Sequence, residues 1–358
     1  MKQPSPAPGS RQQWRRLGIL FLSLLPLMAL FHLVMWFGFT RTLFRAQTGD
    51  LKRLGYLVGL EDCKATLVAA EPPLPPLPPG TPAQAPVVIF GDSFSSSLAK
   101  AYRLQTGTPV QTVAVNWAQS GLVQVKRWLN EAHFSESGVK TIVIERVEYA
   151  WLNTFADEGD PARTISWQTQ ASGQAPALYE KAPRWTFANN GNFKVLICNL
   201  GFYFSPTAFS ESDTWIARLK KNFFNCSYGD RLLFYRGESE GALTDKNQPR
   251  VELALQHLQE ISALCRQQGL KFYLIVPPVK SYLYYDWVER PFYPDSKMLD
   301  LLQDRATASG YVDVKRLFHQ KLTEGYQDLY YPDDDHWNFP AAQMAAAELV
   351  RADQSAGP

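Results

Sequence analysis

Nothing in this 358-residue chain carries the electrostatic footprint of a nucleic-acid binder. Its 36 Lys and Arg are balanced by 34 Asp and Glu, for a net charge of +2 without a long basic run. Neutralising a phosphate backbone needs a concentrated positive surface. There is no glycine-rich phosphate loop and no metal-ligand cluster. The reading therefore includes no nucleic acid, no cofactor and no metal. Cysteine is scarce too: Cys63, Cys198, Cys226 and Cys265 allow at most two disulfides in an oxidising space. Cys198 and Cys226 flank one aromatic segment and are the expected pair, whereas Cys265 lies in an apolar helical pattern and reads as a buried thiol.

A second absence is local. The 24 residues Leu17–Thr40 contain no Asp, Glu, Lys or Arg, enough for a helix to cross roughly 30 Å of hydrocarbon. A cleaved signal peptide would carry an apolar core of about 7–15 residues and a small-residue cleavage site. This run is longer and ends in Phe-Gly-Phe-Thr-Arg with no Ala-x-Ala-like site, so an uncleaved signal anchor is expected. Lys2, Arg11, Arg15 and Arg16 before it are matched by Arg41, Arg45, Lys52 and Arg53 after it, which leaves the positive-inside count level. The hydrolase-like look of the following domain sets the orientation: residues 1–16 cytoplasmic, and the bulk outside the cytoplasm.

Residues 41–70 read as a juxtamembrane helix or coil. Glu71–Pro86, with Pro-Pro-Leu-Pro-Pro-Leu-Pro-Pro-Gly-Thr-Pro, reads as an extended, semi-rigid spacer, because consecutive prolines fix φ and cannot donate to a ladder. The spacer places the domain boundary before Val87, with residues 87–358 forming one domain. Inside it strands alternate with helices. Strands are expected at Val87–Phe90, Val110–Val115, Thr141–Ile144, Lys271–Val276 and Val312–Val314. Helices are expected at Ser95–Tyr102, Leu122–His133, Arg250–Gln268 and Ala341–Val350. That rhythm implies an α/β fold, a mostly parallel sheet covered on both faces. Residues 151–249 interrupt it with aromatics (Trp151, Trp185, Phe187, Phe193, Phe223, Phe234 and others) and read as an inserted, aromatic-rich cap.

Ligands of such sheets gather beyond the carboxyl ends of the strands. Ser93, Gly121, Arg146 and Lys280 all fall there, and His336 precedes the closing helix. Val87-Val88-Ile89-Phe90-Gly91-Asp92-Ser93 puts a serine where a buried strand turns into a helix. Asp333-Asp334-Asp335-His336-Trp337-Asn338 supplies a histidine with carboxylates close before it. A serine hydroxyl needs a base to take its proton, and the base needs an acceptor to fix its tautomer. The pair points to serine acyl-transfer chemistry. Asp333, three residues before His336, and Asp334, two before it, are both candidates to orient the ring, with a lean to Asp333. Asp335 is expected to be solvated or to cap the closing helix.

Gly91-Asp92-Ser93-Phe94 after a strand, with an Asp-x-x-His or Asp-x-His-Trp element before the last helix, resembles the SGNH (GDSL-like) hydrolase superfamily, whose fold is a three-layer α/β/α sandwich. Val276-Pro277-Pro278-Val279-Lys280, Tyr282 and Tyr330-Tyr331-Pro332-Asp333-Asp334-Asp335-His336-Trp337-Asn338 are similar to the periplasmic alginate O-acetyltransferase group. The anchor with an outer domain looks like the D-alanyl transfer protein of teichoic acid pathways. Two departures stand out. The serine precedes the Asp-His element here, and the usual Gly-x-Asn-Asp block is replaced by Glu145-Arg146-Val147-Glu148. Glu145 and Arg146 form either a buried ion pair or a substrate or oxyanion site. The resemblance implies an acyl-serine mechanism on a cell-envelope polysaccharide, acting beside a membrane-bound O-acyltransferase. Ser93 and Gly121 would supply oxyanion N–H groups, with Arg146, Lys280 and Tyr282 around the substrate. The alternative is a non-catalytic SGNH-like accessory protein that binds glycan or recruits the membrane partner.

Overall fold

The computed structural model describes residues 9–44, 48–76, 85–117, 119–157, 159–171, 190–204, 212–241, 248–306 and 310–355. The chain opens with α1 (Gly9–Gly38), a helix long and apolar enough to cross a membrane, none of whose most apolar stretch is buried. Two short helices follow, α2 (Asp50–Leu54) and α3 (Cys63–Ala69). The sheet then begins with β1 (Val87–Gly91), α4 (Ser95–Thr106), β2 (Val110–Ala114), α5 (Gly121–Glu131) and β3 (Thr141–Glu145). Next come α6 (Glu148–Ala156), α7 (Trp167–Ala171), α8 (Asn190–Phe204) and the hairpin β4 (Thr214–Arg218) and β5 (Arg231–Tyr235). The fold closes through α9 (Gln248–Gln267), β6 (Lys271–Ile275), α10 (Lys280–Leu283), α11 (Met298–Ala306), β7 (Tyr311–Val312), α12 (Val314–Thr323) and α13 (Phe339–Ser355).

The main sheet has the order β2-β1-β3-β6-β7 and is parallel throughout. Its strands are apolar on both faces because helices cover both. Val87, Ile89, Val143, Tyr273 and Ile275 pack against α4, α12, α13 and the hairpin. Val88, Phe90, Ile142, Ile144, Phe272 and Leu274 pack against α5, α6, α9 and α11. Side chains alternate between the faces with the period of two that a strand imposes. After β1 the chain steps to β2 on one side and then returns across β1 to β3. The strand order therefore reverses between β1 and β3, where α/β sheets open a crevice.

Every sheet strand that periodicity announced is present. The last is shorter than expected, since Val314 already begins α12 with Asp313 as its cap. Part of the expected cap over residues 151–249 belongs to the main layers instead. Trp151, Phe155, Phe223, Phe224 and Phe234 are fully buried in the two main cores, because α6 and the β4–β5 hairpin are layers of the sandwich itself. Trp185 and Phe187 lie outside the described residues.

The expected boundary before Val87 also fails physically. Residues 48–71 pack onto the domain rather than tethering it: Lys52 N donates to the Asp333 carbonyl (3.3 Å), Thr214 Oγ1 to the Leu51 carbonyl (2.6 Å) and Lys100 Nζ to Glu71 (2.7 Å). Gly49 approaches the Asp333 carbonyl so closely that a Cβ there would overlap it, so only glycine fits. The core of the Pro-rich spacer, 77–84, lies outside the described residues.

Removing residues 1–47 should leave the fold intact, whereas removing residues 1–85 takes donors from the buried Asp333 and Asp334. An unsatisfied buried acceptor costs about 1–3 kcal/mol, more if charged, so the larger deletion should lower Tm by at least about 5 °C relative to the smaller. Equal melting temperatures in calorimetry would show that 48–71 is a tether after all.

Candidate active site

Ser93 lies in the three-residue connection between β1 and α4, and His336 lies just before α13. The two helices pack side by side, α13 through the small side chains of Ala341, Ala342, Ala345 and Ala346, and α4 through Leu98, Ala99 and Ala101. Their N-terminal ends therefore meet at one edge of the sheet. Phe94 stacks beside the imidazole at 4.6 Å between ring centroids, and Trp337 Nε1 donates to Ser97 Oγ at 2.7 Å. The result is a 2.5 Å contact between Ser93 Oγ, which is exposed, and His336 Nε2.

The other ring nitrogen, Nδ1, is 2.6 Å from Asp334 Oδ1, and the His336 backbone N–H donates to that same oxygen at 3.0 Å. An aspartate that accepts the N–H two residues on closes an Asx turn, which fixes the carboxylate beneath the ring. Asp334 Oδ2 accepts from Lys64 Nζ at 2.6 Å and from the Asp50 N–H at 2.8 Å. Four donors thus converge on one buried carboxylate. Burial would raise its pKa, but His336 and Lys64 together hold it well below the usual carboxylate range.

The orienting carboxylate is therefore Asp334, and the lean to Asp333 is corrected. Asp333 faces the other way: its Oδ1 accepts the Lys64 N–H at 2.8 Å, and its burial raises its pKa. The spacing of three residues loses because the local Asx turn selects the spacing of two. Asp335 is not the helix cap either. Asn338 Oδ1 accepts the Ala341 N–H at the start of α13, while Asp335 Oδ1 lies 2.8 Å from His336 Nδ1 without hydrogen-bonding it. Asp50 Oδ2 is 3.9 Å from the same nitrogen. Burial disfavours the imidazolium, but Asp334 and Asp335 outweigh it and raise His336 to about 10. In the neutral ring Nδ1–H donates to Asp334 and Nε2 accepts from Ser93; in the imidazolium Nε2–H donates to Ser93 Oγ.

The remaining candidates divide. Gly121 begins α5 with φ +51, a left-handed backbone natural to glycine, and is buried. Arg146 is tied down near the serine turn: NH1 pairs with Asp92 Oδ2 at 2.9 Å, Nε donates to Thr154 Oγ1 at 3.0 Å, and the guanidinium lies 5.8 Å from the Trp117 ring centre. Its ion-pair partner is Asp92 and not Glu145. Glu145 accepts the Asp92 N–H at 3.0 Å, and burial beside Asp92 raises its pKa far above the usual range. Lys280 cannot touch substrate: it is fully buried and donates to the carbonyls of Tyr331 (2.7 Å), Pro332 (2.9 Å) and Asp334 (3.1 Å). Its role is to hold the aspartate loop. Tyr282 is likewise buried, donating to the Glu238 carbonyl at 2.5 Å. The expectation of substrate contact fails for both because α10, on which they lie, is buried under the hairpin.

Sequence reasoning missed Lys64, Gly49 and Asp50. All three lie in the juxtamembrane stretch, where no periodicity or motif sets them apart. Asp50, Asp334, Asp335 and His336 have donor atoms within 4.8 Å of one another, a spacing that could hold a cation. The Lys64 ammonium already supplies positive charge there, so the cluster fits histidine orientation better. The expected Cys198–Cys226 pairing is not seen. Cys226 instead shares a small cluster with Cys63, whose Sγ lies 3.2 Å from the Tyr228 hydroxyl.

NMR titration of the His336 ring should give a pKa above the ordinary 6.5. Asp334→Asn and Asp335→Asn should each lower it, because each removes a carboxylate that stabilises the imidazolium, and Asp333→Asn should move it least. A larger shift from Asp333→Asn would overturn the assignment of Asp334.

No curated protein matches the chain. Within it, residues 229–356, which include the Asp-His loop and α13 but not Ser93, match the family model of the SGNH hydrolase-like domain of the acetyltransferase AlgX. That segment is similar to the AlgX domain, and the parallel sheet covered by helices on both faces is consistent with an SGNH-like α/β fold.

Proposed function

We propose that the protein is a membrane-anchored, extracytoplasmic serine acyltransferase or esterase that acts on a cell-envelope polysaccharide through an acyl-serine intermediate. The observation that carries this reading is the continuous chain Ser93 Oγ–His336 Nε2 (2.5 Å) and His336 Nδ1–Asp334 Oδ1 (2.6 Å). The match to an acetyltransferase domain supports an acetyl group as the cargo. The exposure of Ser93 suits a bulky glycan acceptor, and the uncovered apolar surface of α1 suits a lipid anchor.

In this mechanism His336 takes the Ser93 proton as Oγ attacks the acyl carbonyl, and it later returns that proton to the leaving group. A sugar hydroxyl or water, deprotonated by the same ring, then resolves the acyl-serine. Asp334 holds the ring's tautomer and stabilises the imidazolium. Ser93 N–H, at the positive N-terminal end of α4, and Gly121 N–H would receive the oxyanion, each such donor being worth roughly 3–4 kcal/mol. Arg146, held by Asp92 beside the serine turn, stands in for the absent Asn block as an electrostatic support. A membrane-bound O-acyltransferase is the proposed source of the acyl group.

Ser93→Ala and His336→Ala should each cut acyl transfer by about 10³-fold or more with Tm unchanged, and the double variant should be no worse, since the two act as one unit. Intact-mass measurement after exposure to an activated ester should show acylation of Ser93 in the parent chain and none in Ser93→Ala. Substantial activity in either single variant would favour the accessory-protein reading.

Because the carboxylates favour imidazolium, the base form of His336 becomes available only as pH rises. kcat/KM should therefore climb with pH through an apparent pKa above 6.5, and Asp335→Asn should displace that pKa downward. A rate independent of pH from neutral upward would contradict His336 as the base.

A further inference from the structure

Helix α8 is built inside out for a helix in water. Its inner side buries Asn192, Val195 and Cys198, while its outer side exposes Phe193 (37%), Leu196 (40%), Ile197 (50%) and Leu200 (49%). A helix at a protein–water surface does the reverse, putting polar residues out and apolar residues in. The inward asparagines are committed. Asn192 Oδ1 accepts from Thr40 Oγ1 at 2.8 Å and its Nδ2 lies 2.9 Å from His32 Nδ1, while Asn199 Nδ2 donates to the Tyr56 carbonyl at 2.6 Å. Polar groups turned toward protein and apolar groups turned out is the arrangement that a hydrocarbon solvent demands.

The position of α8 says which hydrocarbon. Phe193 stacks on Phe31 of α1 at 4.8 Å and meets His32 edge-on at 5.3 Å. At 1.5 Å rise per residue, Phe31 and His32 lie roughly 12–14 Å short of the Thr40 end of the span. The exposed face of α8 is thus continuous with Leu30, Leu33, Val34 and Phe37 of α1, which are themselves exposed. Its one exposed charge among the described residues, Lys194, reaches over the Tyr56 ring at 5.3 Å, and the Arg231 guanidinium lies over Phe202 at 5.2 Å. Cations at the polar margin of an apolar face suit the headgroup layer.

We propose that α8 is a second lipid-facing element, its outer face lying among the acyl chains of the extracytoplasmic leaflet beside α1. This rests on the reading of α1 as a membrane span. The consequence is positional. Asn199 holds Tyr56, the Leu57 N–H bonds the Lys52 carbonyl, and Lys52 N–H and Asp50 N–H bond Asp333 and Asp334. The aspartate loop beside Ser93 is therefore connected by short hydrogen-bonded steps to the lipid-facing helix. That seats the site at a set height over the bilayer, where an acyl donor emerging from the membrane would be met.

The test uses the full chain in phosphatidylethanolamine–phosphatidylglycerol vesicles, with p-benzoylphenylalanine placed singly at Leu24, Ile197, Leu200 or Leu253. Leu24 reports on the anchor, and Leu253, exposed on α9, is the aqueous control. After illumination, lipid adducts read by mass should form at Ile197 and Leu200 at a yield comparable to Leu24 and at least about tenfold above Leu253. Adducts at Leu24 with none at Ile197 and Leu200 overturn the proposal and leave the anchor standing. A polypeptide adduct at those positions in native membranes would then assign the face to a protein partner. No lipid adduct at Leu24 overturns the anchor reading and this proposal together.

Discussion

The rest of the site depends on one buried carboxylate. Asp334 accepts four hydrogen bonds: two from His336, one from the Asp50 backbone and one from the Lys64 ammonium. Burying a charge is costly unless it is paired and fully hydrogen-bonded. This one is, and half of its donors come from a stretch just after the apolar helix. The Asp-His loop is pinned from below by Lys280 on three of its carbonyls and from the side by Tyr330 on Pro278. The imidazole has almost no freedom left, which is the preorganisation that proton transfer at fixed geometry requires.

Residues 48–71 and the domain are accordingly one physical unit. Gly49 packs on the Asp333 carbonyl, Lys64 contacts both Asp333 and Asp334, and Glu71 takes the Tyr331 hydroxyl at 2.7 Å. A stretch that looks like a tether thus supplies the charge balance for the buried Asp333 and Asp334. The proposed seating of the domain by α8 would extend the same coupling, because the segment that reaches the aspartates is also the one bonded to that helix.

Much of the fold was legible before the structure. Val87–Phe90, Thr141–Ile144 and Lys271–Val276 read as strands because strands buried on both faces must be apolar throughout, and Arg250–Gln268 read as a helix because one face of it must be. Ser93 and His336 were legible because a serine at a strand-to-helix turn and a histidine preceded by aspartates are local patterns. Residues 151–249 were not. Their aromatics were read as a cap, whereas α6 and the β4–β5 hairpin are core layers. A high aromatic content marks burial without saying what the residues are buried against.

The sequence by itself determined the alternation of elements, the long apolar N-terminal run and the local settings of Ser93 and His336, all of which rest on periodicity or on residues adjacent in the chain. Only the tertiary structure decided between Asp333 and Asp334, since both lie within three residues of His336 and the choice turns on which carboxylate closes an Asx turn under the ring. It alone brought Lys64 and Asp50 to the site, turned Lys280 and Tyr282 inward, and paired Arg146 with Asp92. Those outcomes depend on contacts between residues distant along the chain, and a single sequence does not encode which distant partner a side chain will meet.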